Sequence, residues 1–224
     1  MNRQPQPAIV DLSLTLRNGM RGVTMETHTT IAVEGYNTSM LHLYSHAGTH
    51  MDAPLHFVPD GNTIDTINLA TCVGQALVVD LSHVTPNSQI FVADLAPSAA
   101  RIEPGTRLLL RTDWDLQADR DEYRTEMPRI SPELAHWLVA RGVILLGLET
   151  PSVASLRPEM RAELTEVHQI LLKAGVVIVE SLANLRMLQN DVVTFVALPL
   201  KLDARDGSPV RAIALDGTEP FNGG

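Results

Sequence analysis

The chain has 224 residues, 45% hydrophobic and 19% charged, with a net charge of −9, which describes a globular protein long enough for one well-packed domain. Lys and Arg form no dense cluster, which argues against nucleic-acid and anionic-membrane partners. No apolar run has the length of a transmembrane helix, the polar start (residues 1–8) has no signal-peptide core, and Cys72 is alone, so a cytoplasmic location without disulfides is expected.

Residues 9–14 alternate apolar and polar and predict a first strand, with Asp11 and Ser13 on one face, lining a site or capping a turn. Residues 17–22 have loop composition, and strands are expected at 24–33 and 38–44. The second of these runs into Ser45-His46-Ala47-Gly48-Thr49-His50-Met51-Asp52-Ala53-Pro54-Leu55-His56-Phe57, where three histidines and an aspartate fall within eleven residues. Gly48 and Pro54 disfavour a helix. In an extended segment, positions 46, 50, 52 and 56 share parity, so their side chains point to one face. Imidazole and carboxylate converging in this way are donors for zinc, manganese or iron, which makes the stretch a metal site. His28 and His42 read as surface or packed histidines outside it.

Residues 58–62 form a turn by composition, and 75–81 read as a strand buried on both faces. A short helix is expected at 92–101, a buried strand at 107–112, and an exposed charged loop, a candidate lid, at 115–129. Ser131-Pro132 caps a helix that Gly142 closes; a strand at 143–148 follows and ends in Glu149-Thr150-Pro151-Ser152. A helix over 158–174, closed by Gly175, leads into a strand at 176–179, and 192–202 and 210–215 form a terminal hairpin around a turn at 206–209. These elements predict a mixed α/β fold in a single domain spanning 1–224. His168 on the last helix and Glu180 just past the strand can meet where the helix-turn-strand unit doubles back, completing five potential ligands. Five ligands with two bridging carboxylates can hold two metals about 3.5–4 Å apart, whereas one catalytic zinc needs three.

His46-x-Gly48-Thr49-His50-x-Asp52-x-Pro54-x-His56 resembles the signature of the cyclase family, which includes bacterial kynurenine formamidases (arylformamidases) and isatin hydrolases. The resemblance extends through Asp11-x-Ser13, Leu110-Arg111-Thr112, Gly147-Leu148-Glu149-Thr150-Pro151-Ser152, His168-x-x-Leu171 to Glu180, Pro199-Leu200-Lys201, and Asp206-Gly207-Ser208-Pro209-Val210-Arg211-Ala212. It implies His46, His50 and Asp52 on one metal, His168 and Glu180 completing the site, and His56 as catalytic acid/base. It further implies a swivelling β/β/α-type fold, a homodimer or higher homo-oligomer, and hydrolysis of a small-molecule amide C–N bond dependent on one or two divalent ions, zinc or manganese. The chain departs from the tryptophan-pathway formamidases at Arg17-Asn18-Gly19-Met20-Arg21-Gly22, where they carry a Trp-Pro-Gly-Asp-like element, and at Glu149, where many members carry aspartate. Aromatics are 4% of the chain, and Phe57, Trp114 and Tyr123 are the candidates to stack an aryl substrate.

A divalent metal brings the pKa of its water from 15.7 towards about 7, and an imidazole with a natural pKa of about 6.5 is suited to moving that proton to the leaving nitrogen. Cyclic amides, imides and lactones are alternative substrates. A metal-dependent lyase or cyclase moving a proton on carbon is a rival reading, and a non-catalytic metal-binding scaffold is a rival of another class.

Overall fold

The apolar runs become strands that close on themselves. The computed structural model describes residues 8–217. In chain order the strands are β1 (Ala8–Asp11), β2 (Val23–Thr29), β3 (Thr38–Leu43), β4 (His50–Asp52), β5 (Val73–Asp80), β6 (Gln89–Ile90), β7 (Arg107–Arg111), β8 (Arg129–Ile130), β9 (Leu145–Leu148), β10 (Val177–Glu180), β11 (Val192–Pro199) and β12 (Gly207–Asp216). The helices are α1 (Ile31–Glu34), α2 (Leu69–Cys72), α3 (Glu122–Thr125), α4 (Pro132–Ala140) and α5 (Arg161–Lys173).

The main sheet runs β1-β12-β11-β5-β7-β9-β10-β4, and β4 also pairs with β12, so the sheet curls into a barrel-like ring with β1 outside it. Strands β5, β7, β9 and β10 are mutually parallel. Those four are the near-continuous apolar runs, as expected of strands covered on both faces. One face packs against Leu12, Met51, Phe195 and Ala212 inside the ring. The other meets α4 and α5 through Leu108, Leu110, Leu146 and Ile178. On α5, Val167, Leu171 and Leu172 are buried, each contributing about 1.5–3 kcal/mol by the usual transfer bookkeeping. The Ser131 hydroxyl accepts from the Leu134 N–H at 3.0 Å and starts α4; Pro132 takes its first position and Gly142 leaves it at φ +72°.

Several expectations need correction. The strand expected at 24–33 stops at Thr29, because residues 31–34 form a helical turn closed by Gly35. The helix expected from 158 begins as a 3-10 turn and is α-helical only from Arg161. Glu180 is the last residue of β10, not a residue beyond it. Residues 206–209 are not a turn: Gly207 opens β12 and pairs with Asp52. The stretch 115–129 is not simply an exposed loop, since Tyr123 and Met127 join Trp114 in a small third core.

Candidate metal centre and active site

The extended, one-face reading of residues 46–56 holds only for its middle. His46 lies in a turn, Gly48 takes φ +57°, β4 covers His50–Asp52, and Pro54–His56 is a 3-10 turn. The side chains therefore converge from three kinds of backbone. Within β4 the period of two puts His50 and Asp52 on one face and sends Met51 into the ring's core. Antiparallel pairing sets Glu180 opposite His50 and Ile178 opposite Asp52, and His168 descends from α5 onto the same side.

Four imidazole–carboxylate pairs stand at the long end of hydrogen-bond distance or beyond it. His50 Nε2 lies 3.3 Å from Glu180 Oε2 and 3.6 Å from Asp52 Oδ1. His168 Nε2 lies 3.5 Å from Glu180 Oε1 and 3.8 Å from Asp52 Oδ2. Ligand bonds of about 2.0–2.2 Å place two ligands of one ion roughly 3–3.5 Å apart, close to these spacings. Two tautomers are fixed from behind, because a carbonyl only accepts: His50 Nδ1–H donates to the Gly48 carbonyl at 2.8 Å and His168 Nδ1–H to that of Leu164 at 2.7 Å. Both Nε2 lone pairs are left facing the carboxylates. Asp52 Oδ2 is buried and has no hydrogen-bond partner among the described residues, a costly condition unless a cation meets it. This donor set fits a divalent metal ion. Without an ion, burial works against charge on Glu180, but hydrogen bonds and positive charge from His168 and His50 in their protonated forms outweigh it and hold its carboxyl far below the usual range; a bound cation would take the place of those protons.

His46 is placed differently. Its Nδ1 meets Asp52 Oδ1 at 2.8 Å and its Nε2 meets Asp206 Oδ2 at 2.7 Å. Burial resists its charge, but the two carboxylates lift its pKa to about 9. Either nitrogen becomes a ligand only by exchanging a carboxylate for a cation. The ring lies over Gly207, where a Cβ would stand 2.8 Å from His46 Cε1 and from the Met51 carbonyl oxygen. His56 stacks on His46 at 3.9 Å, with Nδ1 3.6 Å from Asp206 Oδ2. Burial lowers the His56 pKa, partly offset by the field of Asp52. Among the described residues, donor atoms of His46, His56 and Asp206 also lie within 4.8 Å of one another, as do those of Asp52, His56 and His168.

Asp206 escaped the sequence reading, although it opens a quoted motif, because its composition spelled a turn. His28 and His42 are exposed on the β2–β3 hairpin, away from the cluster. Asp11 pairs with Arg211 and accepts from the Ser13 N–H, which makes that pair a turn. A cavity of about 450 Å³ opens over the histidines, bordered by Phe57, Pro151, Leu156 and Leu164. Phe57 stacks on His168 at 4.1 Å. Trp114 and Tyr123 are buried instead, the indole N–H donating to the Tyr123 carbonyl and the Tyr123 hydroxyl to Ser181. Glu149 is fully buried, its carboxylate accepting N–H bonds from Thr112, Asp113 and Leu185 at 2.6–3.1 Å.

A second set of observations comes from other proteins. The chain is 34% identical over 215 residues to a kynurenine formamidase from Erythrobacter litoralis, covering 93% of this chain and 94% of that one. It is 33% identical over 177 residues to a kynurenine formamidase from Bacillus cereus, covering 79% of each. Isatin hydrolase A from Labrenzia aggregata, solved bound to benzyl benzoate, superposes with a TM-score of 0.84 at 25% identity, over 94% of both chains. A structure described as a potential metal-dependent hydrolase with cyclase activity superposes at 0.78 with 27% identity, over 95% of this chain and 99% of that one. The family model described as "Putative cyclase" matches residues 10–155, the segment that carries all of the 46–56 motif. With this match and relatives of this similarity spanning most of its length, the chain belongs to the cyclase family.

Proposed function

We propose that the protein is a metal-dependent hydrolase of non-peptide amide C–N bonds, in which His46, His50, Asp52, His168 and Glu180 hold one or two divalent ions and His56 moves the proton. The observation that carries this reading is the buried Asp52 carboxylate, whose Oδ2 has no hydrogen-bond partner among the described residues, flanked by two imidazole Nε2 atoms with fixed tautomers, that of His50 at Oδ1 and that of His168 at Oδ2. The nitrogen and oxygen donors suit zinc or manganese. When bound, such an ion acidifies water and polarises the scissile carbonyl. The side chains supply the rest. His56 takes the proton of the attacking water and delivers it to the departing nitrogen, which leaves poorly without it. Asp206 faces His56 Nδ1 and keeps the opposite nitrogen for that transfer. Phe57, Pro151 and Leu164 give the acyl or aryl part an apolar wall.

Both the kynurenine formamidase and isatin hydrolase relatives are named for hydrolysing such amide bonds, one open and one cyclic, so formanilides and cyclic amides are the substrates to test. The buried free thiol of Cys72 accords with a reducing cytoplasm. Assembly as a homodimer or higher oligomer is supported by the β2–β3 hairpin, which exposes Ile31, Val33, Tyr36, Met40 and Leu41 to solvent.

The test is turnover of formanilide and isatin in ¹⁸O water by protein with measured metal content. A hydrolase puts label into formate or isatinate. Turnover that leaves the label in the solvent would instead mark a lyase or cyclase.

A further inference from the structure

Behind His46 stands a carboxylate outside the candidate ligand set. Asp206 Oδ2 lies 2.7 Å from His46 Nε2, and the Ser45 hydroxyl donates to the same oxygen at 3.4 Å. The backbone keeps it there. The Asp206 carbonyl accepts from the Ala53 N–H at 2.9 Å, and Gly207 pairs with Asp52 between β12 and β4. The carboxylate is thus tied to the strand that carries His50 and Asp52. Gly207 leaves room for the ring, since a Cβ there would stand 3.2 Å from His46 Nε2 and closer still to Cε1.

The three imidazoles are not supported alike. Carbonyls of Gly48 and Leu164 accept the Nδ1–H of His50 and His168, so those rings offer Nε2. His46 is the reverse: its Nδ1 is 2.8 Å from Asp52 Oδ1, and its Nε2 is turned to Asp206. Two ligand bonds of about 2.0–2.2 Å meeting at a right angle set their atoms about 2.8–3.1 Å apart, which is the spacing of this Nδ1 and Oδ1. Asp52 Oδ2, without a hydrogen-bond partner among the described residues, and the Nε2 atoms of His50 and His168 are also on the Asp52 side. The place for a cation is therefore there and not beside Asp206. With that place filled, the proton between Nδ1 and Asp52 is given up, while the Nε2–H stays with Asp206.

We infer that Asp206 is a positioning residue: by accepting the Nε2–H of His46 it makes Nδ1 that ring's ligand atom, opposite to the Nε2 of His50 and His168. This rests on the proposed metal centre and not on any substrate. A carboxylate behind a ligating imidazole fixes its tautomer and orientation and raises its basicity, and its loss typically costs 10–100-fold in metal affinity. The same device reaches the proton-moving group, because His56 stacks on the His46 ring at 3.9 Å and 28°, with Nδ1 3.6 Å from Asp206 Oδ2.

The test uses the full chain, labelled with ¹⁵N-histidine and loaded with zinc. Long-range proton–nitrogen correlation spectra, with His46 assigned by its absence in His46→Asn, should show zinc on Nδ1 and a proton on Nε2 of His46, and the reverse for His50 and His168. Zinc affinity, from competition with a chromophoric chelator, should fall about 100-fold in Asp206→Ala and about 10-fold in Asp206→Asn, which keeps an acceptor oxygen at nearly the same size. The downfield Nε2–H resonance of His46 should move upfield in both variants, a change that general loss of stability does not produce. Asp206→Asn carries the test if Asp206→Ala does not fold, and the wild-type spectrum needs neither. Zinc on Nε2 of His46 would overturn the inference and put an ion in the His46, His56 and Asp206 group instead. Unchanged zinc affinity or an unmoved Nε2–H resonance in a folded variant would overturn it as well. Zinc-loaded wild type that fails to hydrolyse formanilide or isatin would sink the amide-hydrolase reading alone, with these readouts unaffected.

Discussion

Two neighbouring parallel strands each end at a buried glutamate, and the two have opposite fates. Glu149 follows β9 and accepts three backbone N–H bonds, which tie the segments after β7 and β10 to its own strand end. Glu180 ends β10, accepts one N–H bond, from Val153, and turns its remaining capacity to His50 and His168. Burial alone does not separate them, since Glu149 is 0% and Glu180 4% exposed. What separates them is the partner set: the backbone N–H groups that donate to Glu149 fix architecture, whereas imidazole nitrogens with their N–H groups turned away, 3.3 and 3.5 Å from Glu180, leave room for a cation.

Substitutions sharpen this contrast. Glu180→Gln should abolish metal retention and reduce turnover by about 10⁴-fold or more, because the metal-borne chemistry goes with its ligand; elemental analysis of the purified variant and formanilide kinetics check both. Full metal content in that protein would erase the distinction between the two glutamates. His56→Ala should keep its metal and lose about 10²–10⁴-fold in kcat, the range for a general acid/base. Anilides with good leaving groups should lose less, as measured by a leaving-group series; a variant that sheds its metal would make His56 a ligand.

Glu149→Ala should leave metal content per folded molecule intact but lose roughly 3–5 kcal/mol in urea unfolding, from three buried donors without an acceptor. An unchanged midpoint would remove its architectural role. The smallest effect is on pH. Burial, aided by the Asp115 field, raises the Glu149 pKa to about 7 against the opposing N–H bonds. Its protonated form is thus favoured by folding, so this contribution is complete below the unfolded pKa of about 4.5 and is lost as pH rises through about 7, up to about 3 kcal/mol in all. Unfolding of wild type and Glu149→Gln between pH 4.5 and 8 measures it: the wild type should lose ground to the variant as pH rises, and parallel curves would refute the shift.

The parts legible in the sequence were those encoded locally. Apolar runs gave β5, β7, β9 and β10, and Ser131-Pro132 with Gly142 bounded α4. Closure of the ring by β4 was not legible, because a three-residue strand between β10 and β12 has no periodicity to show. In the site, residue types and family resemblance indicated His46, His50, Asp52, His56, His168 and Glu180, while the extended-strand geometry first assigned to them fails at Gly48 and Pro54. Asp206 takes on meaning only through tertiary approach, since it reaches His46 across 160 positions.

The most direct test of the account is metal removal and return with Asp52→Asn as companion. Wild-type protein stripped by a chelator should stop hydrolysing formanilide and recover with zinc or manganese at a measured one or two ions per chain, while Asp52→Asn, folded by circular dichroism, should neither take up the ion nor recover. Undiminished turnover by protein shown to be free of metal, or full reloading of Asp52→Asn, would contradict it.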